Sequence, residues 1–287
     1  MRDLPPAGPA GSTRSDAEWA NRLYRRSVLK QQKLHAIADM LGPTDDLRCL
    51  DIGGDNGVVS LLLRKRGGSW TSVDLDEASV DAIRRLVGEP VFQVDGRSLP
   101  FPDCSFDAVV VVDFLEHVHT DRKFAAEMAR VLRPGGTLVV NVPHIKSRSV
   151  LTRLRSRLGL TDEKHGHVRS GYTRAELRAV LGDDFRVERE REYCGSFSEG
   201  LDIALNAALE RRSAGSPRSA KGALVTDSDL TKLEKEYRVL SAVYPALRAW
   251  SALDVLLPLQ SRYRLIVRAR RLGGDPPEPP PASRADR

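Results

Sequence analysis

Residues able to bind a cofactor are concentrated in one short segment, Cys49–Gly57, with the sequence CLDIGGDNG. An apolar strand pattern ends on the acid Asp51, and an apolar helical run begins at Val58. The turn between them contains Gly53, Gly54, Asp55 and Gly57. A strand, a glycine-rich turn and a helix N-terminus, in that order, are the usual elements that hold a nucleotide-like cofactor.

The spacing within this turn indicates which cofactor it holds. A dinucleotide-binding turn has the spacing G-x-G-x-x-G and places a pyrophosphate on the helix N-terminus. Here the spacing is G-x-D-x-G, and a further acid lies two residues before the first glycine. The carboxylates of Asp51 and Asp55 would repel a pyrophosphate and attract a molecule that carries an ammonium, a sulfonium and a ribose. The turn therefore predicts S-adenosylmethionine rather than NAD or ATP.

Strand and helix patterns alternate around this turn. Strands are expected at Leu47–Ile52, Trp70–Asp74, Val91–Asp95, Phe106–Asp113, Thr137–Val142, Phe185–Glu192 and Tyr263–Ala269. The fourth strand, FDAVVVVD, is apolar on consecutive residues, as a central parallel strand should be. This alternation predicts an α/β fold with a doubly wound, Rossmann-like sheet that binds its ligand at the carboxyl ends of the strands.

The ordered set of motifs resembles the class I S-adenosylmethionine-dependent methyltransferases, in the broad group sometimes called type 11. The similarity covers about residues 45–190 and includes LPFPDCSFD (Leu99–Asp107), DFLEH (Asp113–His117) and LRPGG (Leu132–Gly136). The resemblance implies a mostly parallel methyltransferase sheet with an antiparallel last strand. It also implies that S-adenosyl-L-methionine is the cofactor.

The resemblance further implies which residues hold the cofactor. They lie in the glycine turn or at strand ends: Asp51, Gly53, Gly54, Asp55, Gly57, Asp74, Leu75, Asp95, Gly96 and Asp113. Asp74 would accept hydrogen bonds from both ribose hydroxyls, with Asp76 as a competitor whose alternative role is to cap the next helix. Leu75 would lie against the adenine ring, and the Asp95 carboxylate would accept a hydrogen bond from the adenine amino group. Asp55 stands where the family usually has glycine, so it either contacts the methionine end or marks a site that has drifted from catalysis.

Candidate catalytic residues come from the chemistry of methyl transfer. Transfer from a sulfonium is an in-line displacement in which orientation supplies much of the rate, and an oxygen acceptor must also lose a proton. His144, at the carboxyl end of the fifth strand, is our first candidate for the base, and His167 is the second. His117 is expected to pack, and His165 forms an H-x-H pair with His167. Because this pair has no evident third ligand, we predict no metal site.

The predicted domain organisation is one class I methyltransferase domain at 15–272 between two disordered tails. The expected parts are a tail at 1–14, N-terminal helices at 15–44, a cofactor-binding core at 45–192, a helical insertion at 193–262, a last strand at 263–269 and a tail at 273–287. The insertion would wall an apolar acceptor pocket or touch a membrane, or else would pack on the core or on a second subunit of a homodimer. Its stretch Ala246–Pro258 is apolar enough to bind a hydrophobic acceptor, so that hypothesis stays open.

Composition limits the functional classes. The 287 residues contain three scattered cysteines and no apolar run that could span a bilayer, so a cytoplasmic location is expected. The net charge is +6, but the arginines are dispersed and are not interleaved with aromatics, so no nucleic-acid partner is expected. An N/D-P-P-aromatic signature, typical of base N-methylation, is also absent after the fourth strand.

Three functions remain open on the sequence. The first is methylation of a small molecule on oxygen, such as a sugar, a glycolipid precursor or a secondary metabolite. The second is C-methylation of a quinone or lipid-like acceptor. The third is a non-catalytic binding or scaffold protein of the same fold, because fold alone does not imply function.

Overall fold

The computed structural model describes residues 14–54, 56–145, 168–201, 203–204, 230–256 and 262–273. Asp55, His165 and His167 lie outside these residues, as does almost all of the two predicted tails. The interpretations of those residues stay predictions.

Seven strands form one sheet in the order β3-β2-β1-β4-β5-β7-β6. They are β1 (Arg48–Ile52), β2 (Ser69–Asp74), β3 (Val91–Gln93), β4 (Phe106–Val112), β5 (Leu132–Pro143), β6 (Phe185–Tyr193) and β7 (Arg264–Arg271). Strands β1 to β5 pair in parallel, and β7 is antiparallel to both of its neighbours. The predicted doubly wound, mostly parallel sheet with an antiparallel last strand is confirmed.

Two helices precede the sheet and the others lie between or after its strands. They are α1 (Arg14–Tyr24), α2 (Val28–Leu41), α3 (Val58–Arg64), α4 (Glu77–Val87), α5 (Asp121–Val131), α6 (Arg174–Leu181) and α7 (Leu230–Leu256). Ser27 begins α2, since its hydroxyl accepts the Lys30 N–H, and Thr173 begins α6 with a complete capping box. A short 3-10 turn, Leu115–His117, follows β4.

The core occupies both faces of the sheet, because β4 contains the run of consecutive apolar residues Ala108–Val112. All seven residues of β4 are buried. Val109 and Val111 belong to the apolar cluster that contains Phe124 of α5, whereas Val110 belongs to the cluster that contains Ile37 of α2. Side chains of one strand alternate between the faces, so a central strand covered by helices on both sides is apolar on both faces. The exception in β4 is Asp107 near its start, which is paired with Arg133 across 3.1 Å.

Most strand boundaries differ from the predicted ones by one or two residues, and the start of β5 differs by five. We expected a turn at Arg133–Gly136 before the fifth strand, but β5 already begins at Leu132, which pairs with Phe106. The ladder shifts register between Phe106 and Ala108, and Gly135 has a φ of 71°, so the glycines form an irregularity within the strand. Strand β3 ends at Gln93, two residues earlier than expected, which leaves Asp95 in the loop.

Between β6 and β7, the part of the chain that the structure describes is mainly helical, and the bounds of the insertion stay a prediction. Strands β6 and β7 pair antiparallel, and Tyr193 lies opposite Arg264 in this pairing. Along the chain, 70 residues lie between these two. The described part of the insertion contains a helical segment at 196–201 and the long helix α7, which packs on α2. In the described residues, none of the helices has the length and apolar character needed to cross a membrane.

Candidate cofactor and acceptor site

The glycine turn between β1 and α3 packs tightly against the neighbouring strand ends. Gly53 has a φ of 84°, and its N–H donates to the Val73 carbonyl across 3.0 Å. A Cβ at Gly53 would lie 2.3 Å from the Val112 carbonyl oxygen, and one at Gly57 would lie 2.8 Å from Ile83 Cα. The first and last glycines of the turn are therefore required both by backbone conformation and by close approach.

Asp51 enters this turn with one carboxylate oxygen satisfied and the other without a partner. The side chain is fully buried, and Oδ2 accepts hydrogen bonds from the hydroxyls of Ser60 and Ser72, the latter across 3.0 Å. Oδ1 has no hydrogen-bond partner among the residues that the structure describes. Burial raises the pKa of Asp51. A buried carboxylate oxygen of this kind suits a cationic, hydrogen-bonding ligand group.

Asp74 and Asp76 have different surroundings at the end of β2. The Asp76 carboxylate accepts from the Ser79 N–H and hydroxyl, both across 2.8 Å, and so caps α4. Asp74 is only 7% exposed, and its Oδ1 accepts the N–H of Leu75 across 2.7 Å. The alternative role weighed for Asp76 is thus its actual role, which leaves Asp74 as the acid at the strand end.

Asp95 and Gly96 follow β3 in a tight loop. The exposed Asp95 carboxylate accepts the N–H groups of Arg97 and Ser98 across 2.8 and 3.1 Å, and the first of these bonds contributes most to lowering its pKa. A Cβ at Gly96, whose φ is 72°, would lie 3.2 Å from Leu75 Cδ2. The structure therefore brings Leu75 and Gly96 together at the carboxyl edge of β2 and β3.

Asp113, directly after β4, is held by three donors. Lys33 Nζ lies 2.5 Å from Oδ2, and Oδ1 accepts from Arg264 across 2.6 Å and from the Asn141 amide across 3.0 Å. Its φ of 48° is in the left-handed region. The carboxylate ties the end of β4 to α2, β5 and β7, an arrangement that favours a positioning role over direct contact with a cofactor.

Glu116, in the 3-10 turn after β4, is a buried acid beside the candidate site that the sequence patterns did not single out. It is 1% exposed, and its Oε2 has no hydrogen-bond partner in the described part of the chain. Burial and the nearby Asp113 raise its pKa to about 8. The available signal was an acid directly after the apolar pair Phe114 and Leu115 beyond β4.

His144, at the end of β5, has both ring nitrogens next to oxygen atoms. Nδ1 lies 2.8 Å from the Tyr172 carbonyl oxygen, and Nε2 lies 3.3 Å from Glu192 Oε1. Its main-chain N–H also donates to the Tyr263 carbonyl. This geometry favours His144 as a link between three segments rather than as a free base. His117 lies half-buried in the 3-10 turn.

The cofactor candidates that the structure describes follow four neighbouring strands. Asp51, Asp74, Asp95 and Asp113 end or follow β1, β2, β3 and β4, which are adjacent in the sheet. Within the described ranges no group of three or more His, Cys, Asp or Glu side chains is arranged to hold a metal ion. The arrangement offers carboxylates and small residues at one sheet edge, the usual ligand site of an open α/β sheet.

Sequence comparison identifies a domain within this chain. Residues 50–140 match the family model of a methyltransferase domain. A demethylmenaquinone methyltransferase from Tropheryma whipplei is 33% identical over 108 residues, which are 37% of this chain and 45% of that protein. A fatty-acid O-methyltransferase from Mycolicibacterium smegmatis is 36% identical over 122 residues, or 41% and 43% of the two chains. The similarity thus spans less than half the length of these relatives.

Structural comparison agrees on the fold. The [4+2]-cyclase SpnF superposes with a TM-score of 0.57 at 17% identity, covering 94% of this chain and 98% of the cyclase. An S-adenosylmethionine-dependent methyltransferase from Mesorhizobium loti superposes with a TM-score of 0.51 at 20% identity, covering 83% and 96%. At these identities the matches concern the fold alone.

Proposed function

We propose that this chain, which contains a class I S-adenosylmethionine-dependent methyltransferase domain, transfers the methyl group of S-adenosylmethionine to a small-molecule acceptor. The observation that carries the proposal is the buried Asp51, whose Oδ1 has no partner in the part of the chain that the structure describes. A ligand ammonium beside this oxygen would satisfy it and would favour the ionised carboxylate. Such a group distinguishes a methionine-derived cofactor from a dinucleotide.

The remaining candidates fit the other parts of the same cofactor. Asp74 would grip the ribose hydroxyls, since a carboxylate provides enough acceptors for a diol. Leu75 and Gly96 leave a small apolar surface for the adenine, and Asp95 would receive its amino group. When bound, S-adenosylmethionine supplies an electrophilic methyl group, while the protein binds and orients it. Asp113 would hold the segments around the site in place rather than contact the cofactor, because three donors already bind its carboxylate.

For the acceptor we favour an oxygen nucleophile on a small molecule such as a sugar, a glycolipid precursor or a secondary metabolite. C-methylation of a quinone or lipid-like acceptor is the second candidate. It is supported by the demethylmenaquinone methyltransferase among the relatives and by large apolar side chains on α7, where Val243 is 42% and Trp250 is 50% exposed. Contact with a membrane surface, a homodimer and a cytoplasmic location stay predictions.

Calorimetric titration with S-adenosylmethionine and S-adenosylhomocysteine tests the proposal. Two neighbouring acids provide a matched pair of variants. Asp74→Ala should abolish most of the affinity, because it removes the ribose acceptor. Asp76→Ala should keep the affinity and lose about 1 kcal/mol of folding free energy, since it removes only a helix cap.

The same titration distinguishes the non-catalytic hypothesis. SpnF has this fold and is a cyclase, so the fold alone fixes neither the reaction nor the acceptor. Absence of binding at millimolar ligand would contradict the enzyme proposal. Equal affinities of Asp74→Ala and Asp76→Ala would contradict the ribose assignment.

A further inference from the structure

Glu116 is a buried acid that the fold itself does not explain. It lies within the 3-10 turn Leu115–His117, directly beyond the carboxyl end of β4. Its main-chain carbonyl accepts the N–H groups of Val168 and Arg169 across 2.9 and 3.3 Å, so this carbonyl is satisfied. Its side chain is not, because Oε2 lacks a partner within the described residues while the residue is 1% exposed. A buried carboxyl oxygen left in this state costs folding free energy unless a ligand uses it.

The charges around Glu116 decide which proton state it holds. The negative charge of Asp113 opposes ionisation, whereas the cations Arg264 and Lys33 favour it. Both cations bind Asp113 directly, and burial together with the charge of Asp113 outweighs their effect on Glu116. Tyr172 faces the same region, and its hydroxyl is committed to the Leu115 carbonyl and to Asp121.

Burial and the surrounding charges bring the pKa of Glu116 into the range that is useful for proton transfer. Its pKa is raised to about 8, chiefly by burial. A general base works best when its pKa lies near the pH at which the enzyme operates. Perturbed acids at the carboxyl edge of an α/β sheet are candidate functional groups, and here the location and the unsatisfied oxygen agree with that expectation.

We propose that Glu116 is the proton acceptor of this site and that the acceptor substrate is a hydroxyl compound whose oxygen approaches Oε2. The inference rests on the proposed methyltransferase function. The new bond joins the substrate oxygen to the methyl carbon as the carbon–sulfur bond of the donor breaks, and its electron pair stays on sulfur. The hydroxyl proton passes to Oε2. The products are a methyl ether, S-adenosylhomocysteine and a protonated Glu116.

Glu116 fits this role better than the histidine that the sequence favoured. His144 is 8% exposed in its side chain, and both of its ring nitrogens already face oxygens of Tyr172 and Glu192. A carboxylate substrate, by contrast, would need no base, because it is already ionised at neutral pH. Dependence on Glu116 therefore distinguishes a hydroxyl acceptor from a carboxylate acceptor.

The test compares the wild type with Glu116→Gln, Glu116→Asp and a control, Glu89→Gln. Glu89 lies just before the amino end of β3, whereas Glu116 lies beyond the carboxyl end of β4. Each protein receives S-adenosylmethionine with a labelled methyl group and a panel of sugars, phenols, long-chain alcohols and one long-chain fatty acid. We expect methyl ethers from the wild type and the control. Glu116→Gln should lose about a hundredfold or more in rate, and Glu116→Asp should recover part of it. The wild-type rate should rise with pH up to about 8, and that rise should vanish in Glu116→Gln.

Two measurements on the same proteins do not need an acceptor. Calorimetry with S-adenosylhomocysteine should give the same affinity for the wild type and Glu116→Gln, which shows that the variant is folded and binds the cofactor. The wild type should lose infrared absorption of a protonated carboxyl group as the pH passes about 8, and this pH-dependent loss should be absent from Glu116→Gln.

Each result separates this inference from the proposed function. A wild type that binds no S-adenosylhomocysteine contradicts the proposed function, whatever the infrared band does. A wild type that binds the cofactor but labels only the fatty acid, only carbon, or none of the hydroxyl compounds overturns the inference about Glu116. Unchanged rates and an unchanged pH profile in Glu116→Gln would overturn it as well.

Discussion

Substitution of Gly53 by alanine measures how strictly the close packing of the turn is required. Two costs act at this position. A non-glycine residue in the left-handed region costs about 1–2 kcal/mol, and Gly53 has a φ of 84°. The added Cβ would also lie 2.3 Å from the Val112 carbonyl oxygen and 2.9 Å from Phe114 Cβ, and such overpacking typically costs about 1–3 kcal/mol. We expect Gly53→Ala to lose about 2–5 kcal/mol of unfolding free energy.

Gly88 provides a control that carries only the first cost. Its φ is 74°, and a Cβ there would meet nothing within 4 Å. Its ψ of −147° lies in a region that residues other than glycine rarely adopt, so Gly88→Ala should lose about 1–3 kcal/mol from the backbone alone. Urea denaturation measures both free energies, and the difference between the variants isolates the steric clash. If Gly53→Ala is no less stable than Gly88→Ala, the described contact with the end of β4 does not constrain the turn.

Three further predictions follow from individual contacts. Thr173→Ala should lose about 1 kcal/mol of unfolding free energy in urea, because it removes the capping box of α6; an unchanged midpoint would contradict this. Asp51→Asn should weaken S-adenosylhomocysteine binding roughly ten- to hundredfold by calorimetry, the usual worth of a hydrogen bond to a charged group, and an unchanged affinity would reject the ammonium assignment. Burial raises the pKa of Glu116 from 4.5 to about 8, so its contribution to stability is present below about pH 4.5 and is lost as the pH rises to about 8. Glu116→Gln should therefore gain stability relative to the wild type across this window, and a pH-independent difference would show that Glu116 ionises normally.

The fold was predictable because the sequence patterns that determine its strands and helices lie within short segments of the chain. The apolar runs of β1, β2 and β4 end on acids, so the sequence alone placed Asp51 and Asp74 at one sheet edge. The glycine turn was predictable for the same reason. The β5 boundary was less so, because the early pairing of Leu132 with Phe106 depends on a register shift that the neighbouring strand imposes.

The electrostatic state of the site was not predictable, because it depends on contacts between distant parts of the chain. Asp113 meets Lys33 and Arg264, which lie 80 and 151 residues away. His144 looked like a base from its position, but the carbonyl of Tyr172 and the carboxylate of Glu192 face its ring. The raised pKa of Glu116 likewise arises from burial, which a single acid in the sequence does not reveal.

Product analysis with an isotopically labelled donor tests the central claim most directly. The protein is incubated with S-adenosylmethionine carrying a deuterated methyl group and with fractions of a whole-cell metabolite extract, and mass spectrometry detects labelled products. We predict a labelled small molecule that the wild type and Asp76→Ala produce and Asp74→Ala does not. A wild type that binds the donor but transfers no label to any fraction would contradict the assignment of this chain as a small-molecule methyltransferase.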